Sequence, residues 1–120
     1  MSSKAFCESV LQHLNQVAPV TARAMFGGYG LYTNGVMFAL IAYDTLYFKV
    51  DDSNRDDFLA LGMQPFTYDG KGKPIQMSYY QLPEKVWCNA EELLVWLEKS
   101  AAIARQAKTK SGKRKKSVDA

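Results

Sequence analysis

Residues 23–41 read Arg-Ala-Met-Phe-Gly-Gly-Tyr-Gly-Leu-Tyr-Thr-Asn-Gly-Val-Met-Phe-Ala-Leu-Ile, and this stretch decides the fold. Within it, two apolar and aromatic-rich runs flank Asn34 and Gly35. An Asn-Gly pair readily supplies the two positive φ angles of a type I′ turn, whose twist suits antiparallel strands. The stretch therefore predicts a β-hairpin.

A third apolar run extends this hairpin into a three-stranded meander, with the second run in the centre. In the third run, Leu46, Phe48 and Val50 alternate with Tyr47 and Lys49. This period of two is typical of a sheet that is covered on one side. We expect one face of the sheet to meet helices and the other to be partly open to water.

Three glycines lie close together in the first run, at Gly27, Gly28 and Gly30. Glycine weakens a strand unless a bulge, a sharp bend or a close backbone approach requires it. We interpret these glycines as a bulge or coil that bends an edge strand. The alternative is a phosphate-binding loop, but such loops lead into a helix, whereas these glycines lead into a hairpin.

Apolar residues at helical spacing predict a helix near each end of the chain. Phe6, Val10 and Leu14 mark the first helix, and Leu93 and Leu97 mark the last. Between the meander and the last helix we expect a short helix over 53–61 and strands over 65–68 and 75–81. The predicted fold is α+β, an antiparallel sheet of about five strands with helices packed on it, in the order α-β-β-β-α-β-β-α.

Charge divides the chain into two parts. Its 120 residues, 48% of them apolar, suit one globular domain, which we place at 1–108. Seven basic residues and one acidic residue give 105–120 a net charge of +6, so the total of +3 leaves −3 for the rest. We predict that 109–120 is a disordered basic tail, because it has too few apolar residues to offset the entropy of ordering.

Basic tails of this kind can neutralise nucleic-acid phosphates without reading sequence. The alternative is a solvated tail that only aids solubility. The candidates for nucleic-acid contact are Lys108, Lys110, Lys113, Arg114, Lys115 and Lys116.

Six separated blocks of sequence occur in order at 23–32, 35–41, 46–51, 62–66, 71–74 and 77–83. Together they closely resemble the amino-terminal domain of the TfoX/Sxy family, over about residues 4–108. The resemblance implies the same α+β order. It also implies regulation of natural competence, as a co-activator beside a cyclic-AMP-dependent transcription activator. Members carry a helical carboxy-terminal domain where this chain has its basic tail, so we expect a stand-alone amino-terminal domain.

Among the residues of these blocks, we expect seven to fix the fold: Arg23, Met25, Phe26, Gly27, Gly28, Gly30 and Gly35.

The inventory of reactive side chains argues against an enzyme. His13 is the one histidine of the sequence, and Cys7 and Cys88 are isolated thiols that could form a nucleophile–base pair with it only if the fold joined them. The acidic residues at 51–57 begin a predicted helix, where the helix dipole favours them without any catalytic role. We predict no catalytic residue, no metal site and no cofactor.

The sequence holds more tyrosines than one small core can bury with satisfied hydroxyls. We therefore expect several to line an exposed sheet face or a dimer contact; the alternative is that they merely border the core. The expected partner is a protein, such as a transcription regulator or a second copy of this chain. The candidates for the contact surface are Tyr47, Lys71, Lys73, Tyr79 and Tyr80.

No apolar run approaches the roughly 20 residues that a membrane-spanning helix needs. We expect no membrane partner and a cytoplasmic location.

Overall fold

A computed structural model of the chain describes residues 4–25, 28–70 and 73–119, with the side chains of all of these except 68–70, 73–76 and 108–119. The helices are α1 (Lys4–Leu14), α2 (Arg55–Leu59), α3 (Glu84–Trp87) and α4 (Ala90–Asp119). The strands are β1 (Thr21–Met25), β2 (Gly28–Thr33), β3 (Val36–Ala42), β4 (Thr45–Lys49), β5 (Pro65–Gly70) and β6 (Lys73–Gln81).

The described strands form one six-stranded sheet in the order β1-β2-β3-β4-β6-β5, with every neighbouring pair antiparallel. The α+β class is confirmed. So is the meander, with β3 between β2 and β4. The predicted count of about five strands is one short.

The extra strand lies where the sequence analysis placed a single bent edge strand. β1 runs antiparallel to β2, and Met25 pairs with Gly28, so the chain reverses between these two residues. The prediction of one bulged strand here is wrong. The edge strand is β1, and the glycines at 28 and 30 lie in the interior strand β2.

Two tight turns join β2, β3 and β4. Asn34 and Gly35 have φ angles of 50° and 80°, which confirms the left-handed turn predicted for this pair. The β3–β4 turn uses Tyr43 and Asp44 at 52° and 54°, although neither is glycine. A register shift beside Leu31 adds a bulge between β2 and β3.

The hydrophobic core lies between one face of the sheet and all four helices. Phe38 meets Phe48 edge-on, with ring centroids 5.4 Å apart. Phe58 of α2 contacts both Tyr80 of β6 and Trp96 of α4. The other members of this buried cluster include Cys7, Val10 and Leu14 of α1, Ile41 and Leu46 of the sheet, Val86 of α3, and Leu93, Leu97, Ala101 and Ala104 of α4.

The helix boundaries follow from local chemistry. Asn89 accepts a hydrogen bond from the Glu92 amide (3.1 Å), as expected for a residue that caps α4. Gly62 ends the α2 segment at a φ of 75°, the conformation predicted for it. The α4 backbone continues over 109–119, for which the sequence predicts disorder. The domain boundary at residue 108 stays a prediction.

The glycines of β2 differ in what surrounds them, and this difference is testable. A Cβ at Gly28 would overlap the backbone carbonyl oxygen of Ile41, which cannot move without disturbing the sheet. A Cβ at Gly30 would lie 2.7 Å from the sulfur of Met25 and 3.0 Å from that of Met37, and both sulfurs belong to flexible side chains. We expect Gly28→Ala to lower the free energy of unfolding by about 2–3 kcal/mol and Gly30→Ala by less than about 1 kcal/mol, by urea denaturation. Equal losses would contradict this assignment.

Candidate functional site

One face of the sheet carries no helix among the described residues, and its side chains form the candidate site. Side chains alternate between the two faces of a strand, so the positions opposite the core face share this side. The bulge at Phe38 shifts this alternation by one residue in β3, so Met37 and Leu40 both lie on it. We call it the open face and define it by Arg23, Met25, Tyr32, Met37, Leu40, Tyr47, Lys49, Phe66 and Tyr79.

The middle of the open face is apolar. Leu40 pairs with Gly30 across β2 and β3, and the Met25 and Met37 sulfurs lie close to this glycine. Leu40 is only 8% exposed, although it is not part of the core cluster. Because residue 30 has no side chain, the sulfurs of both methionines reach the space beside it, and the middle of the face consists of sulfur and hydrocarbon.

Two cations lie over tyrosine rings on this face. The Arg23 guanidinium is 5.9 Å from the Tyr32 ring centroid, and the Lys49 ammonium is 5.0 Å from that of Tyr79. Such contacts are attractive because the ring face carries negative charge. Burial raises the pKa of Tyr79 to about 12, and the neighbouring phenol of Tyr32 adds to the rise. Tyr79 therefore stays neutral at physiological pH.

A second aromatic contact on the open face joins a side chain of β4 to one of β5. The rings of Tyr47 and Phe66 have centroids 5.1 Å apart. Burial raises the pKa of the Tyr47 phenol, the hydrogen bond with Thr45 partly offsets this rise, and the nearby Tyr43 phenol adds to it. Tyr43 itself is 68% exposed. The aromatic surface thus extends from β5 to the β3–β4 turn.

The backbone beneath Lys49 is fixed by two buried polar side chains. Its carbonyl oxygen accepts hydrogen bonds from the Asn54 amide (3.2 Å) and from the Ser100 hydroxyl (2.9 Å). Asn54 also accepts a bond from the Asp51 backbone amide (2.9 Å). Because Ser100 lies on α4, the helix and the loop after β4 together set the position of Lys49.

The open face is positively charged. The sequences of β1, β2, β3, β4 and β6 contain no aspartate or glutamate. Within the described part of the chain the salt bridge is that of Arg55 with Asp52, so Arg23 and Lys49 have no carboxylate partner there. Among the described strands, β5 carries the one acidic residue, Asp69, and the other acidic residues of the described part of the chain lie on helices, turns and loops.

The structure separates the tyrosines that sequence reasoning grouped together. Tyr47 and Tyr79 lie on the open face, but Tyr79 is only 7% exposed, so its prediction as an exposed contact residue is wrong. Tyr80 is 5% exposed and belongs to the core, so its prediction as an exposed contact residue is wrong. Tyr29 packs against the core as well.

The remaining predicted residues fall into two groups. Gly28, Gly30 and Gly35 lie in β2 and the β2–β3 turn, while Arg23 and Met25 lie on the open face. The other candidates lie outside the residues or side chains that the structure describes: Phe26, Gly27, Lys71, Lys73, Lys108, Lys110, Lys113, Arg114, Lys115 and Lys116.

Sequence reasoning missed Lys49 and Phe66 as site residues. The alternation in β4 already put Lys49 on the same face as Tyr47, so a signal for it existed. Phe66 was harder to place, because a register shift between Pro65 and Thr67 interrupts the alternation of β5.

The reactive side chains named by the sequence analysis do not lie on the open face. His13 stacks on Trp87 with ring centroids 3.9 Å apart, and its Nε2 donates to the Trp87 carbonyl oxygen (2.9 Å). Burial raises the pKa of the Cys7 thiol, with a further rise from Glu8, whereas Cys88 is exposed. Within the described residues, no group of three or more His, Cys, Asp or Glu side chains could hold a metal ion.

Comparison with known protein families matches residues 12–104 to the TfoX N-terminal domain. The chain belongs to this family. It is also 22% identical over 108 residues to Protein Sxy of Escherichia coli strain K12, an alignment that covers 90% of this chain. The aligned part is 52% of the relative, so this TfoX N-terminal domain spans about half the length of the curated protein it matches.

Among the helices that the structure describes, none is long and apolar enough to cross a membrane.

The raised pKa of Tyr79 predicts how the stability of this TfoX N-terminal domain depends on pH. Its folded-state pKa of about 12 exceeds the ordinary value of 10.0, so the neutral phenol is favoured by folding. The stability gained from this neutral phenol is fully present at pH values below 10.0, and it is lost as the pH rises through the folded-state pKa of about 12. We expect Tyr79→Phe to lose less stability than the parent chain over this alkaline range, in chemical denaturation at a series of pH values.

Phenolate absorbance provides the second measurement. Because its pKa is about 12, Tyr79 of the folded chain should titrate at a higher pH than an ordinary phenol, and Tyr79→Phe should remove that late step. An unchanged late step in Tyr79→Phe would show that another residue carries it.

Proposed function

We propose that this chain is a non-catalytic regulatory domain that acts through contact with another protein, and that the open face makes this contact. The observation that carries the proposal is a sheet face lined by aromatic, methionine and leucine side chains that no described helix covers. Contiguous apolar patches on a protein surface mark interaction sites. Tyrosine, methionine and arginine are also the residue types enriched in protein interfaces.

The regulated process that we propose is natural competence, with the domain acting in the cytoplasm as a transcriptional co-activator. Membership of the TfoX N-terminal domain family and the similarity to Protein Sxy support this assignment. The partner would then be a transcription regulator. The chemistry of the open face suits such a partner, since Met25 and Met37 are flexible enough to adapt to a protein surface.

A substitution on the open face tests this function in cells. Tyr47→Ala removes a ring from the aromatic surface without touching the core cluster. Loss of a central interface tyrosine commonly costs more than about 1 kcal/mol of binding, so we expect transcripts of DNA-uptake genes to fall several-fold. The matched control is Val95→Ala, which truncates a 63% exposed side chain of α4. Immunoblots should show equal amounts of both variants.

Equal transcript levels in the Tyr47→Ala and Val95→Ala strains would overturn the proposal. A fall in both strains would also count against it, because the open face would then have no special role.

A second function, contact with nucleic acid, is favoured by the net charge of +6 over 105–120. Removing residues 109–120 should abolish retention of the chain on duplex DNA at low salt. Without the lysines and the arginine of this segment, the chain neutralises fewer phosphates and so releases fewer counterions from the DNA. Tyr47→Ala should retain the parent affinity for DNA. Unchanged retention after the deletion would assign the tail to solubility alone.

A further inference from the structure

We propose that the open face binds an amphipathic helix of a partner protein whose apolar stripe ends in an acidic residue at both ends. This inference rests on the proposed function, in that the ligand is a protein, and it adds the chemistry and geometry of the segment that is bound. Arg23 and Lys49 would each meet one carboxylate, and the layer between them would meet the apolar stripe.

Charge complementarity gives the first step. The open face presents two cations, and the sequences of β1 to β4 and of β6 contain no acidic residue to neutralise them. The acidic residue of β5, Asp69, pairs with Pro74, which is five residues along β6 from the residue that pairs with Lys49. Arg23 is exposed and Lys49 is half-buried, and each lies over a tyrosine ring instead of a carboxylate. An acidic segment supplies the missing partners.

The strand register gives the distance between the two cations. Arg23 pairs with Gly30, Gly30 with Leu40, and Leu40 with Tyr47, and Lys49 follows two residues along β4. Three strand spacings of about 4.8 Å and two residues of about 3.3 Å along the strand place the two backbone positions about 16 Å apart. The pair thus defines a diagonal across the sheet.

This distance matches the repeat of an α-helix. At a rise of about 1.5 Å per residue, 16 Å corresponds to about 11 residues, and 11 residues make about three turns. Acidic residues at positions i and i+11 of a helix therefore lie on one side of it. Apolar residues at i+4, i+7 and i+8 lie between them, above the half-buried Met25 and Met37.

Two other occupants fit the open face less well. A second copy of the chain placed face to face would bring four cations together. Single-stranded nucleic acid needs free ring faces for base stacking. Here Arg23 lies over the Tyr32 ring, Lys49 covers that of Tyr79, and Tyr79 is only 7% exposed.

The test uses a synthetic helical peptide as probe, titrated into the full chain and followed by backbone amide chemical shifts. The peptide has Glu at i and i+11, Leu at i+4, i+7 and i+8, and Ala and Gln elsewhere. One control peptide has Lys in place of both Glu residues, and another has its Glu residues at i and i+5, on opposite sides of the helix. We expect the first peptide to bind at least tenfold more tightly than either control and to shift the amides of β2, β3 and β4.

Charge reversal in the protein provides the matched comparison. Arg23→Glu and Lys49→Glu should each weaken binding of the acidic peptide at least tenfold, and the double variant should prefer the Lys peptide. Lys99→Glu, on the exposed side of α4, is the control and should bind as the parent does. Where Lys49→Glu fails to fold, Lys49→Gln serves in its place, with a smaller loss of affinity.

Any of these binding results would overturn the inference: equal binding of the acidic and basic peptides, no binding of the acidic peptide, amide shifts confined to the helices, or a stronger response of the open face to a thymidine oligonucleotide. Concentration-dependent dimerisation through the open face would also overturn it, in favour of a second copy.

The failure of this inference can be told apart from the failure of the proposed function. If Tyr47→Ala lowers the transcripts while Arg23→Glu and Lys49→Glu leave them unchanged, the open face contacts a protein without using its charges. If none of the three variants has an effect, the proposed function fails as well.

Discussion

The one-sided packing of the helices is the constraint on which the rest of the structure depends. Phe38, Ile41 and Phe48 anchor the central strands to the core, and α4 packs across β3 and β4. Because side chains alternate along a strand, the inward positions of Ile41 and Phe48 force Leu40 and Tyr47 outward. The bulge between β2 and β3 leaves Phe38 without a partner in the register, so Phe38 also points inward although it is two residues from Leu40. The open face is thus a direct result of how the core is built.

Buried polar groups complete this arrangement at the end of β4. Asn54 and Ser100 are 3% and 0% exposed, and both donate to the carbonyl of Lys49. An unsatisfied amide or hydroxyl at such positions would cost about 1–3 kcal/mol, so these hydrogen bonds specify one position for the end of the strand. The cation on the open face and the long helix behind it are therefore parts of one unit.

Sequence reasoning predicts features that depend on neighbouring residues. The turn at Asn34 and Gly35, the covered and open faces of β4, and the helical stripes at both ends all follow from local patterns. Sequence reasoning fails for β1, since the reversal between Met25 and Gly28 carries no Asn-Gly signal. It also fails for Tyr80, because two adjacent tyrosines in one strand look alike until the register puts them on opposite faces.

The candidate site was predictable only in outline. Tyrosine content indicated an exposed aromatic surface, but the pairing of Arg23 with Tyr32 and of Lys49 with Tyr79 depends on contacts between different strands. Such contacts join residues that are distant in the chain.

The low exposure of two side chains on the open face has a consequence for the thermodynamics of association. Leu40 and Tyr79 are 8% and 7% exposed, although neither belongs to the core cluster. Side chains that are already buried before the ligand binds lose little further entropy in the complex. The cost of ordering then falls mainly on the incoming segment, so the affinity of such a segment should rise with its own tendency to fold.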